Sequence, residues 1–191
     1  ARRFNPDFVV YTGDYVNYGT AEEQNALRKV MENCVMGTAA TFGILGNHDY
    51  GVSWKDLECA DRICEILENR GIVMLRNAQQ ETEGLNFIGF DDLWSPEFRP
   101  AEAMKEYDPG KANIILCHNP DACDLDIWNG YRGWILSGHT HGGQCRIPGI
   151  ITPVLPVKNK KYTSGEIDLE DGRMLYINRA IGHSFQVKIG R

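Results

Sequence analysis

The chain has 191 residues, of which 42% are hydrophobic and 24% are charged, and these proportions are typical of one folded domain and exclude a disordered or low-complexity chain. Its 20 basic and 26 acidic residues leave a net charge of −6, which argues against a nucleic-acid polymer as a partner. A small anionic substrate would therefore need a local source of positive charge.

The cysteine content and the longest apolar segment bear on the cellular location of the protein. Six cysteines are present, an even number that would suit disulfides in a small secreted protein. A chain of this length can build a core without them, so we predict reduced thiols and a cytoplasmic location. The longest apolar stretch, residues 149–157, contains two prolines and is too short to span a bilayer.

Four segments have the same sequence pattern, a short apolar run that ends in Gly, Asn, Asp or His. They are residues 8–14, 42–49, 114–119 and 134–141. Unbroken apolar runs predict strands that are covered on both faces, as in layered α/β proteins. The polar residues are then expected at the carboxyl ends of central strands.

Helical patterns separate these strands. The pattern over residues 21–35 follows Thr20 as N-cap, and a second helix is predicted over residues 53–69, with Ser53 as its cap and Asp56 at the capping-box position. Shorter helices are predicted at 100–107 and 120–128. Further strands are predicted at 72–75, 85–90, 162–169 and 174–178, the last two joined by a hairpin turn. The alternation predicts an α/β fold, a layered sandwich of two mixed β-sheets flanked by helices, in a single domain over residues 1–191.

Four of the five histidines fall at the predicted strand ends: His48, His118, His139 and His141. One such histidine would be a structural residue, but four, with an Asp and an Asn in equivalent positions, indicate a functional site. Imidazoles and carboxylates are ligands of zinc, manganese and iron. Because His139 and His141 are two residues apart, they reach one site only if the backbone turns, which the neighbouring glycines allow.

The blocks Gly13-Asp14, Gly46-Asn47-His48-Asp49, His118 and Gly138-His139-Thr140-His141 resemble the signature blocks of the calcineurin-like metallophosphoesterase superfamily. Their order and spacing match over residues 6–145. The flanking sequence is similar to a bacterial branch of membrane-associated phosphodiesterases and UDP-diacylglucosamine pyrophosphate hydrolases. The resemblance implies a centre of two divalent ions, Mn, Zn or Fe.

The resemblance also assigns roles to the residues in these blocks. Asp14 would bridge both ions, His141 would serve the first ion, and the second would be held by Asn47, His118 and His139. His48 would protonate the leaving oxygen instead of binding metal. Asp49 would either orient His48 or close the turn as a structural carboxylate. The Asp91-Asp92 pair is expected to shape a loop and receives no catalytic role.

The first signature block of the superfamily, an Asp-x-His at the end of a strand, is absent from this sequence. We therefore expect a domain that lacks its N-terminal strand, through truncation or loss. With half of the first metal site missing, one ion is expected to bind well and turnover is expected to be poor.

These observations predict metal-dependent hydrolysis of a phosphoester or pyrophosphate bond in a small phosphorylated or lipid-linked substrate. The alternatives are a soluble nucleotide phosphodiesterase and a catalytically impaired binding module with a single metal. The apolar segment 150–161 carries three lysines and suggests peripheral contact with the inner face of the membrane. A buried loop is the slightly preferred interpretation of that segment.

Overall fold

The computed structural model describes residues 4–143 and 155–181, which form an α/β fold. The helical elements in chain order are α1 (Ala21–Met31), a 3₁₀ turn (Asn47–Tyr50), α2 (Leu57–Glu68), α3 (Pro100–Ala103) and a second 3₁₀ turn (Pro120–Asp124). The strands are β1 (Phe8–Tyr11), β2 (Ala40–Gly43), β3 (Val73–Met74), β4 (Ala78–Thr82), β5 (Leu85–Gly89), β6 (Ala112–Leu116), β7 (Gly133–Ser137), β8 (Gly165–Asp168) and β9 (Arg173–Ile177).

The strands form two sheets. The smaller has the order β1-β2-β3 and is parallel throughout, and the larger has the order β4-β5-β6-β7-β9-β8. In the larger sheet the outer pairs β4–β5 and β8–β9 are antiparallel, while the inner pairs are parallel. The predicted two-sheet α/β architecture is confirmed, with the difference that only the larger sheet is mixed.

An apolar layer joins the two sheets. Phe42 of β2 stacks on Phe87 of β5 with ring centroids 4.3 Å apart, and both side chains are buried with Leu75 and Leu116. A second cluster packs α1 and α2 against the smaller sheet, and a third covers the other face of the larger sheet. The inner strands are covered on both faces, and this burial explains the apolar runs in their sequences.

The start of α1 is as predicted, whereas the start of α2 is not. Thr20 caps α1 in a full capping box with Glu23. The predicted N-cap Ser53 is wrong, because Trp54 has a left-handed backbone with φ of 59° that a helix cannot contain. The helix begins at Leu57, and the Asp56 carboxylate caps it by accepting from the Cys59 N–H at 2.9 Å.

The two short helices differ from prediction as well. The helix expected at 120–128 is a 3₁₀ turn that ends at Asp124, because Leu125 already has an extended backbone. The helix expected at 100–107 covers only Pro100–Ala103. The edge strand β4 escaped prediction because its sequence, Ala-Gln-Gln-Glu-Thr, is mostly polar and exposed.

The remaining expectations concern the redox state of the cysteines, membrane-spanning helices and the segment 150–161. The five cysteines that the structure describes are free thiols, and Cys145 lies outside the described residues. Within residues 4–143 and 155–181, no helix has the length and apolar character needed to cross a bilayer. Part of the segment 150–161 also lies outside the described residues, but Leu155 and Val157 are buried, as the buried-loop interpretation predicts.

Candidate metal centre

The residues expected to form a site come together where strands of both sheets end. Asp14 lies three residues after β1, and the Asn47–Tyr50 turn begins four residues after β2. From the larger sheet, His118 and His139 each lie two residues after the end of β6 and β7. Because these strands are parallel within each sheet, their carboxyl ends meet at one edge of the sandwich.

Three side chains form a compact cluster at this edge. Asp14 Oδ2 is 3.2 Å from His118 Nε2, and His118 Nε2 is 3.2 Å from His139 Nδ1. One ligand atom from each of the three residues lies within 4.8 Å of the others. Neighbouring donors around one divalent ion, each about 2.1 Å from it, have separations of this size.

Backbone carbonyls fix the tautomers of the two histidines. His118 Nδ1 lies 2.5 Å from the Thr12 carbonyl, and His139 Nε2 lies 2.9 Å from the Pro156 carbonyl. A carbonyl only accepts, so each of these nitrogens carries a proton and donates it. The opposite nitrogen of each ring, His118 Nε2 or His139 Nδ1, then faces the centre of the cluster and is the atom that would bind a metal.

The electrostatics of the cluster favour a positive charge at its centre. Burial opposes ionisation of Asp14, yet the adjacent His118 holds the pKa of this carboxyl well below its usual range. Burial would lower the pKa of His118, but Asp14 raises it to about 9, so without an ion Nε2 carries a proton that a bound cation would displace. Burial and the neighbouring His118 lower the pKa of His139 to about 3, so this imidazole stays neutral.

Two further predicted ligands carry buried polar atoms with no partner among the described residues. They are Asn47 Oδ1 and His141 Nδ1. A buried amide oxygen without a hydrogen bond costs folding free energy unless another group satisfies it. The unpartnered oxygen of Asn47 leaves the predicted ligand role open to it, whereas His141 lies outside the compact cluster.

Glycine at position 46 permits this close approach. A Cβ there would lie 2.6 Å from His118 Cε1 and still closer to Asp14 Oδ1. Such a contact is far shorter than van der Waals distance. A residue with a side chain at position 46 would therefore push the two candidate ligands apart.

The carboxylate of Asp49 closes the turn, the structural one of its two predicted roles. Its two oxygens accept four backbone N–H groups, from Asp14, Tyr15, Val16 and Gly46. Burial and the nearby Asp14 carboxylate raise the pKa of Asp49 to about 7. Asp49 therefore fixes the Asp14 loop against the Asn47–Tyr50 turn.

His48 is oriented by a group that the sequence did not reveal. Its Nδ1 lies 2.8 Å from the Asn17 carbonyl, and its backbone N–H donates to Asp14 Oδ1 at 3.1 Å. A backbone carbonyl has no side-chain signature, so sequence patterns do not identify it. With Nδ1 engaged, Nε2 is the nitrogen of His48 left for a substrate.

A partly buried ion pair anchors the far end of the same turn. The Tyr50 hydroxyl donates to Asp91, and Arg76 donates to both Asp91 at 3.1 Å and the Tyr50 oxygen at 3.2 Å. The adjacent Asp92 accepts from the Trp94 N–H at 2.8 Å. These contacts agree with the prediction that Asp91 and Asp92 shape a loop.

Nitrogen and oxygen donors at the strand ends, with a separate imidazole held beside them, are the features of a metal-dependent hydrolase. Residues 1–143 match the family described as calcineurin-like phosphoesterase. The chain belongs to this family, whose members are hydrolases of phosphoric ester bonds.

Similarity to individual proteins agrees with this family assignment. The chain is 30% identical over 191 residues to the phosphodiesterase YaeI of Escherichia coli, covering 96% of this chain and 66% of that protein. It is 25% identical over 230 residues to the UDP-2,3-diacylglucosamine pyrophosphatase LpxG of Chlamydia trachomatis, covering 93% and 69%. It is also 31% identical to the uncharacterized protein YpbG of Bacillus subtilis, covering 76% and 55%. The chain thus spans about half to two thirds of these relatives' lengths.

Proposed function

We propose that this chain hydrolyses a phosphodiester or pyrophosphate bond with the help of divalent metal ions. The observation that carries the proposal is the buried cluster of Asp14, His118 and His139, whose free donor atoms face one another. Family membership supports the reaction class. The names of the E. coli and C. trachomatis relatives support a diester or pyrophosphate bond as the target.

The donor chemistry fits a borderline divalent ion. Asp14, Asn47, His118 and His139 would hold one ion through a carboxylate, an amide oxygen and two neutral imidazoles. We propose that a second ion binds on the side of His141 and shares Asp14. Such ions would supply the positive charge that polarises the phosphoryl group and lowers the pKa of water.

The side chains around these donors position the reacting groups. Asp49 holds the Asp14 loop through four backbone N–H groups. The Asn17 carbonyl fixes the ring of His48, so that Nε2 can give a proton to the leaving oxygen. His48 thus acts on the substrate, while Asp49 maintains the geometry.

The proposal extends to the class of substrate. A lipid-linked pyrophosphate is supported by the name of the C. trachomatis relative. Measuring the rates on a UDP-diacyl sugar and on a soluble nucleotide diester separates this substrate from the alternative. A faster rate on the soluble diester would exclude the lipid-linked assignment.

The activity itself is tested with the purified chain, dialysed against chelator and supplemented separately with Mn²⁺, Zn²⁺ or Fe²⁺. Bis(p-nitrophenyl) phosphate is the reporter substrate, and Asp14→Asn is compared with Asp126→Asn, a change at an exposed residue outside the cluster. We expect slow, ion-dependent turnover that Asp14→Asn abolishes and Asp126→Asn retains. Absence of turnover with every ion, or full turnover in Asp14→Asn, would contradict the proposal.

A further inference from the structure

Two tryptophans border the candidate metal centre without a role in the proposed chemistry. Trp54 lies in the loop before α2, and Trp94 lies in the loop after β5. Their rings stack with centroids 5.0 Å apart and planes at 25°. Trp54 remains 38% exposed, so part of its surface is open to solvent.

The stacked pair spans the site from the proposed acid to a proposed ligand. The ring of Trp54 lies edge-on to His48 at a centroid distance of 6.3 Å. The ring of Trp94 lies edge-on to His139 at 4.6 Å. A group bound to the scissile phosphate on the His48 side would therefore meet Trp54.

The backbone of Trp54 is strained. Its φ of 59° is in the left-handed region, where a residue with a Cβ pays a steric cost. The Trp54 N–H donates to the Gly51 carbonyl at 3.1 Å, which holds this conformation. Packing of the core does not explain a strained residue that is more than a third exposed. Strain of this kind is concentrated at ligand-binding sites.

Exposed apolar side chains also occur in the loop of Trp54 and in the loop of Asn17. Val52, in the same loop, is 76% exposed, and Tyr18, next to the Asn17 that orients His48, is 52% exposed. Water-facing apolar groups beside an ionic centre suit a substrate that is charged at the phosphate and apolar next to it.

Given the proposed phosphoesterase activity, on which this inference rests, we infer that the open face of Trp54 is a subsite for a planar aromatic ring on the leaving-group side of the scissile phosphate. A ring placed there would continue the offset stack that Trp94 and Trp54 begin. Aromatic faces bind planar rings through stacking as well as area burial. An aliphatic chain would gain only the burial.

Binding of phosphonates tests the subsite, because their C–P bond is not hydrolysed by a phosphoesterase. Calorimetric titration of the Mn²⁺-loaded chain with phenylphosphonate, hexylphosphonate and methylphosphonate compares a ring, a chain and a minimal group. Wild type is expected to bind phenylphosphonate about tenfold more tightly than methylphosphonate. The preference over hexylphosphonate is expected to be smaller but clear.

Variants then assign the preference to Trp54. In Trp54→Ala the phenyl-to-methyl ratio should fall to about one, and Trp54→Phe should restore most of it. The matched control is Trp134→Ala, a tryptophan of 39% exposure that lies at the start of β7, at the opposite end from the site. This control should keep the wild-type ratio. Far-ultraviolet circular dichroism confirms that each variant is folded.

The possible results distinguish the aromatic subsite from the proposed phosphoesterase activity. Turnover of the diester together with equal affinity for all three phosphonates would overturn the subsite and leave the proposed function standing. A ring preference that depends on Trp54, without any turnover, would support the subsite and refute the proposed function. An unchanged phenyl preference in Trp54→Ala, or equal affinity for hexyl and phenyl groups, would also overturn the subsite.

Discussion

His48 and Asn47 are neighbours in sequence, yet they serve different partners. The amide oxygen of Asn47 is buried without a partner among the described residues. The ring of His48 is fixed by the Asn17 carbonyl instead. This division between a ligand and an acid leads to a prediction for each side chain.

We predict that His48→Ala lowers kcat and leaves metal content unchanged. Loss of a general acid typically costs about a hundredfold to ten-thousandfold in rate. The loss should be smaller for a p-nitrophenyl ester than for the corresponding phenyl ester, because p-nitrophenolate leaves without needing a proton. Kinetics on the two esters, with elemental analysis of the variant, provide the measurement. If metal content falls with the rate, His48 is a ligand and the division is wrong.

Asp49 provides a contrasting prediction about stability. Replacing it with Asn exchanges one acceptor oxygen for an N–H₂ donor that faces backbone N–H groups. Each buried group left unsatisfied costs about 1–3 kcal/mol, so urea denaturation should show a loss of at least about 2 kcal/mol. Asp126→Asn, on the surface, should change little. A fully stable Asp49→Asn with only its pH–rate profile altered would instead indicate that Asp49 acts through His48.

At the scale of elements, the loops that follow the strands must approach one another closely. We predict that Gly46→Ala weakens metal affinity at least tenfold, because its Cβ would clash with both Asp14 and His118. The control is Gly110→Ala, where a Cβ would lie 3.1 Å from the exposed carboxylate of Asp108, which can move. Calorimetric titration with Mn²⁺ measures both variants. Wild-type affinity in Gly46→Ala would contradict the described packing of the loops.

Some elements could be predicted from the sequence and others could not. This difference has a physical basis. The strands β1, β2, β6 and β7 carry apolar runs toward their carboxyl ends, and cover on both faces imposes that pattern. The polar edge strand β4 lacks such a pattern because one edge and much of its surface face water. The start of α2 depends on the left-handed backbone of Trp54, which residue type does not reveal.

The candidate site shows the same contrast. The candidate ligands and the candidate acid His48 could be picked out because each is a distinctive residue type placed shortly after a strand. The groups that orient them are backbone carbonyls at Thr12, Asn17 and Pro156, which every sequence contains. Trp54 also escaped prediction, although a scarce tryptophan six residues after His48 was a usable signal.

At the scale of the whole molecule, the apolar layer between the sheets sets the relative position of the strand ends. Phe87 stacks on Phe42 and is 1% exposed. We predict that Phe87→Ala lowers the free energy of unfolding by about 3–5 kcal/mol. The exposed Tyr176, replaced with Ala as a control, should cost about 1 kcal/mol or less. Equal losses in the two variants would show that the layer does not hold the sheets together.

The charge of the whole molecule favours a metal ion at the candidate site. A chain with a net charge of −6 and the Asp14 carboxylate in its candidate site would repel a phosphate ester. A divalent ion among the donors reverses the local sign. The account therefore depends on one claim, that Asp14, Asn47, His118 and His139 hold a divalent ion.

The most direct test of that claim is elemental analysis of the chain after Mn²⁺ or Zn²⁺ loading and exhaustive dialysis. Wild type should retain one ion per chain, and Asn47→Ala, His118→Ala and His139→Ala should each retain less. Asp14→Ala should retain almost none, since it removes the only carboxylate of the set. Asp126→Asn should match wild type. An Asp14→Ala variant that retains as much metal as the wild type would contradict the account.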